Sequence, residues 1–260
     1  MNRCVLLVLM VGCGGDDGAA RPDVFVQQGP DYDLSCLDHS VSTVPTTIEL
    51  TGKVYNLVPT GGYSGLKSMV TTYTIANNTM VASMTGDDET MFMGELTTTG
   101  TPQRVRFDIA PVVTGPMPGS VTMNIPPWKS PLPGDLYLAG SGRHDALATA
   151  LGTVVDPSKG VLEVWMRDCT SPDLPDATVQ LDGADASWAM YSGVGVWIPR
   201  ATTLGHPQSQ PFASVAGLVN VAPGTHTVKV SGTGFAIEST VEVTAGRWSM
   251  IMMVPGVPLN

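Results

Sequence analysis

Short alternations of apolar and polar residues run through most of this chain. Residues 48–55 (IELTGKVY) alternate with the period of two that marks a half-buried β-strand, and Gly, Pro, Asn and Asp residues separate this run from the next. The same pattern recurs to the end of the chain. It predicts strands at 48–55, 69–75, 79–84, 90–96, 104–109, 120–125, 135–139, 161–167, 176–181, 187–191, 194–198, 215–221, 225–231, 239–243 and 248–254.

One short segment has a helical pattern instead. In residues 144–151, Leu147 and Leu151 stand one helical turn apart, and Gly152 follows as a C-terminal stop. A helix of about two turns needs packing to persist, so we interpret it as a connector. The predicted units are a lead-in through residue 46, a β-rich part at 47–140, a connector at 141–158 and a second β-rich part at 159–255.

Composition supports an all-β chain and narrows the range of partners. The 260 residues include 29 Gly and 21 Pro, and only 14% are charged, which fits many short strands joined by turns. The net charge of −10 would repel a phosphate backbone and anionic lipid headgroups. Nucleic-acid binding and electrostatic membrane binding are therefore not expected.

The N-terminus has the features of an export signal. Arg3 is followed by an unbroken apolar run at 5–11 (VLLVLMV), which is too short to span a bilayer. Residues 10–13 (MVGC) resemble the lipobox of bacterial lipoproteins. The resemblance implies that residues 1–12 are a cleaved signal peptide, that Cys13 carries the lipid, and that residues 13–46 form a flexible tether and lead-in.

The same resemblance implies a location. A diacylglycerol on Cys13, with palmitate as the added acyl chain, would make the protein a lipid-anchored component of the cell envelope. The residue after Cys13 is Gly14 rather than Asp. By the sorting rule of enteric bacteria, this residue favours the outer membrane of a Gram-negative cell.

One of the four cysteines is removed with the signal peptide and a second is lipidated, so two remain. Cys4 belongs to the signal and Cys13 to the anchor, so Cys36 and Cys169 remain. Oxidising conditions outside the cytoplasm favour a disulfide between them, worth about 4–5 kcal/mol for so long a loop. Two free thiols are the alternative. Neither cysteine has a CxxC partner that would indicate zinc or thioredoxin-like chemistry.

The second β-rich part resembles a known domain family. Residues 218–230 (LVNVAPGTHTVKV), followed by 234–235 and 241–246, resemble the late strands of carboxypeptidase regulatory-like domains. The segments 164–169 and 174–179 resemble the opening of those domains, except that Asp176 replaces the usual Gly. This family has the transthyretin-like β-sandwich fold.

A weaker likeness covers the first β-rich part. It rests on residues 50–55 (LTGKVY) and 65–70 (GLKSMV). The two resemblances together imply an all-β protein of two tandem transthyretin-like (prealbumin-like) β-sandwiches, the first divergent, joined by the short helix.

No catalytic or metal-binding constellation is evident. Domains of the regulatory-like family contain no peptidase site, and the four histidines (His39, His144, His206 and His226) are not spaced as a local metal clamp. His226 is expected to be a sheet-face residue. Residues 86–89 (GDDE) could bind Ca²⁺ but fit an acidic turn better. The expectation is therefore no catalytic residue, no metal and no cofactor.

Three aromatic residues of the second part are the candidate ligand-binding residues. Trp188, Tyr191 and Trp197 could stack on sugar rings if exposed, or pack in the core. Tyr191 and Trp197 have the same strand parity and Trp188 the opposite one, so the three need not share a face. The polar segment 200–211 is expected to be a surface loop, where partners commonly bind.

The functional expectation is a non-enzymatic cell-envelope lipoprotein that serves as a structural or binding module. One alternative is carbohydrate or peptide binding by the loops and aromatic residues of the second sandwich. The other is a hydrolase or metal enzyme whose residues assemble only in the fold.

Overall fold

The computed structural model describes residues 45–57, 63–66, 68–74, 79–85, 91–101, 104–112, 117–124, 132–133, 136–167, 174, 176–191, 196–203 and 214–253. The signal peptide, residues 13–44 of the tether and lead-in (with Cys13 and Cys36), Cys169 and the turn at 86–89 lie outside these residues. The predictions made for them stay predictions.

The described residues are mostly in β-strands, as the alternating pattern predicted. In the first half the strands are β1 Thr47–Leu57, β2 Tyr63–Gly65, β3 Ser68–Thr74, β4 Thr79–Thr85, β5 Met91–Thr97, β6 Arg104–Pro111, β7 Gly119–Asn124, β8 Leu132–Pro133 and β9 Leu136–Ala139. In the second half they are β10 Gly160–Met166, β11 Thr178–Leu181, β12 Ala184–Asp185, β13 Ala189–Tyr191, β14 Trp197–Pro199, β15 Val215–Val221, β16 Gly224–Gly232, β17 Phe235–Val243 and β18 Trp248–Met253. Only the short strands β2, β8 and β12 were not predicted.

A nine-stranded sheet runs through both halves of the chain, in the order β14-β13-β15-β10-β18-β7-β6-β3-β4. The junction is the parallel pairing of β18 with β7, from Trp248 opposite Gly119 to Ile251 opposite Thr122. A Cβ atom on Gly119 would lie 2.6 Å from Leu138 and 2.9 Å from the Trp248 ring. A glycine at this position therefore allows the close contact at the junction.

This sheet bears on the expected domain arrangement. The all-β class is confirmed, but two tandem transthyretin-like sandwiches are not, because hydrogen bonds join strands of the ranges 47–140 and 159–255 into one sheet. The larger hydrophobic core, here called the main core, is also shared. Ile48 and Phe107 of the first half contribute to it together with Trp165 and Trp248 of the second.

Two smaller sheets complete the layers. In one, β1 pairs with β2 and β5 on one side and with β8 and β9 on the other. The other has the order β12-β11-β16-β17. Val161 and Trp165 of β10 belong to the main core, whereas Leu162 and Val164 belong to a second core with Val228 and Val230 of β16. Because β10 has a core on each face, it is buried along its whole length.

The predicted connector helix is present as α1, Ser141–Ala150. Gly152 has a φ of 65°, its N–H donates to the Thr149 carbonyl (3.0 Å), and the Thr153 N–H donates to the Ala148 carbonyl (2.9 Å). This pair of bonds is a Schellman motif, which confirms Gly152 as the stop. The described part of the chain contains no helix with the length and hydrophobicity that spanning a bilayer requires.

The helix is more than a spacer. Leu147 is fully buried in the main core. After the helix, Asn220 of β15 holds the connector in place: its Nδ2 donates to the Val154 carbonyl (2.8 Å) and its Oδ1 accepts from the Asp156 N–H (2.7 Å). Asn220 has a positive φ of 62°, which Asn tolerates better than most residues, at an irregularity in the pairing of β10 with β15.

Candidate functional site

A charged pair lies in the interior between α1 and β10. Arg143 donates from Nε to Oε1 of Glu163 (2.9 Å) and from Nη2 to Oε2 (3.0 Å). Trp165 adds a third bond, from its Nε1 to Oε2 of Glu163 (3.1 Å). All three residues are at most 1% exposed. The bidentate geometry is the strongest form of an arginine–carboxylate contact.

The hydrogen bonds define the charge state of the pair. Among the described residues, the groups that bond to the Glu163 oxygens are all N–H donors, so the side chain accepts at both oxygens, as a carboxylate does. Burial alone would lower the pKa of Arg143, but the charge and hydrogen bonds of Glu163 outweigh it and raise that pKa. Both groups are therefore charged, and each neutralises the other.

Aromatic rings surround the guanidinium. Its Cζ lies 4.0 Å from the centre of the Tyr191 ring and 4.8 Å from that of Trp197, and the two rings lie 5.0 Å apart. Cation–π contacts of this kind stabilise a desolvated cation. A Cβ atom on Gly217 of β15 would lie 2.6 Å from the Trp197 ring and 2.9 Å from Leu147, so the glycine permits this packing.

A stack of rings continues from the pair toward β1. Trp165 lies 5.7 Å from Tyr137 of β9, and Tyr137 lies 5.6 Å from Tyr55 of β1, with interplanar angles of 26° and 22°. Residues from α1, β10, β13 and β14 thus meet around one buried ion pair, and the ring stack extends from it to β9 and β1. The pair links the helix to both halves of the chain.

His144 follows Arg143 in the helix and is 1% exposed. Within the part of the chain that the structure describes, neither of its ring nitrogens has a hydrogen-bond partner. Burial is the main cause that lowers the pKa of His144 to about 4; the carboxylates of Glu163 and Asp145 oppose this effect, and the charge of Arg143 adds to it. His144 is therefore neutral at physiological pH.

The three aromatic candidates are in the interior. Trp188, Tyr191 and Trp197 are 4%, 2% and 6% exposed. Tyr191 and Trp197 share the main core and Trp188 belongs to the second core, so the parity argument is confirmed. Rings buried to this extent present no face to a sugar, and core packing was the alternative that the pattern left open.

Other polar residues of interest form links within the fold. Arg104 donates to the Thr240 hydroxyl (2.7 Å), and Arg106 contacts Glu242 and also Asp108 (3.0 Å). The contacts with Thr240 and Glu242 join β6 to β17 of the four-stranded sheet.

Of the segment 200–211, the structure describes residues 200–203. The Thr203 hydroxyl donates to the Leu174 carbonyl (2.7 Å) and accepts from the Ala177 N–H (2.8 Å). His226 lies in β16, as expected. Within the described ranges, no three His, Cys, Asp or Glu residues are placed to hold a metal ion.

The sequence contains one signal of the buried pair, which hydrophobic period alone does not reveal. Glu163 is the single charged residue in the apolar run 160–166 (GVLEVWM). A charge in a strand buried on both faces requires a partner. Arg143 could not be identified as that partner, because it lies 20 residues earlier in a segment interpreted as a connector.

The chain matches no family model and no curated protein. A double mutant of the shaft pilin SpaA from Lactobacillus rhamnosus GG shares 12% identity at a TM-score of 0.26, over 83% of this chain and 100% of that one. The Bacillus anthracis TIE protein shares 14% at 0.27, over 80% and 33%. GBS52, the minor pilin of Streptococcus agalactiae, shares 10% at 0.26, over 80% and 94%. At TM-scores this low, the fold class rests on the sheets of the chain itself.

Removing the charge of Glu163 is expected to destabilise the protein strongly. Glu163→Gln keeps the size of the side chain but leaves the Arg143 guanidinium buried without a counter-charge, at a cost of about 3–5 kcal/mol in the free energy of unfolding. Urea denaturation measures this loss. The matched control Glu95→Gln, on the exposed face of β5, should change stability by less than about 0.5 kcal/mol.

A double variant separates lost charge balance from lost packing. Arg143→Met combined with Glu163→Met removes both charges, so it should cost less than Glu163→Gln alone. Equal stability losses for Glu163→Gln and Glu95→Gln would contradict the structural role of the pair.

Acid is expected to destabilise the fold through His144. Its pKa in the folded protein is about 4, below the value of about 6.5 in the unfolded chain, so the unfolded state binds the extra proton between these values. The stability that neutral His144 preserves is complete above about pH 6.5 and decreases as the pH falls toward about 4, by about 3 kcal/mol.

The measurement compares urea denaturation of the wild type and His144→Phe, which cannot titrate, at both ends of this pH range. The variant should lose less stability on acidification. The same loss in both proteins would show that His144 is not the group responsible.

Proposed function

We propose that this chain is a non-catalytic structural module of the cell envelope, anchored by a lipid on Cys13. The observation that best supports a structural role is the complete burial of the ion pair between Arg143 and Glu163. General acid–base chemistry requires contact between the catalytic group and its substrate. This pair is instead engaged entirely with residues of the protein, as an internal link among layers.

The layering of the fold supports the same role. One sheet continues through both halves of the chain, and strand β10 has a core on each of its faces. Further polar contacts join β6 to β17, through Arg104 with Thr240 and Arg106 with Glu242. A body linked in this way is suited to bear load or to hold attached segments in position.

The proposed lipid anchor is inferred from the N-terminal sequence. A charged residue, a short apolar run and the small Gly12 before Cys13 resemble a lipoprotein signal, and the acidic net charge of −10 disfavours electrostatic attachment. Gly14 in the sorting position favours the outer membrane of a Gram-negative cell. Carbohydrate binding is not favoured, because Trp188, Tyr191 and Trp197 are buried.

The proposal includes a disulfide between Cys36 and Cys169, which are the cysteines left after signal removal and lipidation. Thiol labelling of the mature protein, denatured without reduction, should find no free thiol. Two labelled thiols would rule out the pairing.

Removing the lipidated thiol is expected to release the protein. In a bacterial host with lipoprotein processing, the wild type should incorporate labelled palmitate and sediment with the outer membrane, whereas Cys13→Ala should do neither. Cys4→Ala is the matched control and should behave as the wild type, because Cys4 is removed with the signal. Cys13→Ala protein that stays in the membrane fraction would contradict the proposed anchor.

A further inference from the structure

His226, near the start of β16, is bonded through both nitrogens of its ring. Nδ1 lies 2.7 Å from Oδ2 of Asp182, and Nε2 lies 2.7 Å from the carbonyl oxygen of Ala222. A carboxylate and a carbonyl accept hydrogen bonds and cannot donate them, so both nitrogens must carry a proton. A neutral imidazole carries only one, and the geometry therefore requires the imidazolium.

The two acceptors belong to different turns. Asp182 is in the turn between β11 and β12, where Asp182 and Gly183 both have positive φ angles (52° and 76°), as in a type I′ hairpin. Ala222 is in the turn that leads from β15 of the nine-stranded sheet to β16 of the four-stranded sheet. His226 thus connects the end of the β11–β12 hairpin to the point where the chain passes between the two layers.

Asp182 is held for this role by the neighbouring strand. Its Oδ1 accepts from the Thr227 N–H (2.8 Å), and its own N–H donates to the Thr227 carbonyl (2.8 Å). The Asp182 side chain is 52% exposed and that of His226 is 13% exposed, so solvent protons reach the pair.

Among the described residues, Asp182 is the charged group that faces His226. On β17, Val241 pairs with His226, while Glu242 pairs with the neighbouring Thr225 and contacts Arg106. On the β11–β12 hairpin, Asp185 accepts from Gln180 instead. Strand β15 (VAGLVNV) has no titratable side chain.

We propose that His226 is a proton-dependent clip, which fastens the β11–β12 turn to the β15–β16 turn when protonated and releases it when neutral. Without its second proton, the ring can donate to Asp182 or to Ala222 but not to both. The acceptor oxygen of the other residue then faces the lone pair of an unprotonated ring nitrogen instead of an N–H donor.

The pKa directions agree with this geometry. Burial lowers the pKa of His226, but the hydrogen bonds to Asp182 and Ala222 and the charge of Asp182 outweigh it, and the pKa is raised. The bond from His226 is the main cause that lowers the pKa of Asp182. A raised His pKa means that the clip contributes fully below the unfolded value of about 6.5 and is lost as the pH rises through the folded value.

The test is a pH titration of the full chain by ¹⁵N NMR of the histidine rings, with the His226 signals assigned through His226→Gln. In the wild type, both ring nitrogens of His226 should stay protonated to a higher pH than in free histidine. Asp182→Asn should move this midpoint down. Asn suits the turn before Gly183 and keeps a side-chain acceptor for the Thr227 N–H, so the fold is preserved.

Asp185→Asn is the matched control: it removes a carboxylate from the same hairpin and should leave the midpoint unchanged. The amide N–H of Asp182 reports the clip itself, because its hydrogen-exchange protection should decrease in the wild type as His226 deprotonates, and already at low pH in Asp182→Asn. A His226 midpoint at or below about 6.5, the value of an unperturbed histidine, would overturn the proposal. So would a midpoint that Asp182→Asn leaves in place.

Discussion

The fold depends on how a carboxylate is accommodated in a strand that has a hydrophobic core on each side. Glu163 occupies the middle of β10 and is fully buried. An isolated charge in such a place would cost several kcal/mol, so it must have a cation and enough donors around it. Arg143 and Trp165 supply them, and the rings of Tyr191 and Trp197 enclose the guanidinium. The helix α1 packs on β14 and β15, and from there Arg143 reaches Glu163 of β10.

The same interaction explains why the two halves share an interior. The helix that carries Arg143 comes directly after β9, the last strand of the first half, while Glu163 belongs to the second half. The Trp165 ring that bonds to Glu163 also stacks on Tyr137 of β9. Next to β10, β18 pairs with β7, where Gly119 lets the Trp248 ring and Leu138 approach. The ion pair, the aromatic stack and the pairing of β18 with β7 thus all connect the first half of the chain to the second.

Local order was largely predictable from the sequence. Nearly every strand and the C-terminal end of the helix follow from hydrophobic period and turn residues, because these features depend on neighbours a few residues away. The strands that were missed, β2, β8 and β12, are two or three residues long and carry too little pattern. The helix begins three residues earlier than residues 144–151 indicated, and this difference hid the role of Arg143.

Long-range order could not be predicted in the same way. Whether β7 and β18 pair depends on residues about 130 positions apart, which no local period encodes. A resemblance of short motifs to one domain family favoured two separate sandwiches for the same reason: each motif describes a hairpin, not the neighbour of that hairpin in a sheet. Similarly, the apolar content of the segment with Trp188, Tyr191 and Trp197 did not distinguish an exposed strip from a core, although strand parity separated their faces.

We infer that one buried ion pair and one continuous sheet make both halves of the chain a single cooperative unit. Native-state hydrogen exchange tests this claim most directly, because it measures the free energy of opening strand by strand. The most protected amides of β6 and β7 should open with the same free energy as those of β10 and β16, and with the same dependence on denaturant. Two distinct free energies, one for each half of the chain, would show two independent domains and contradict the account.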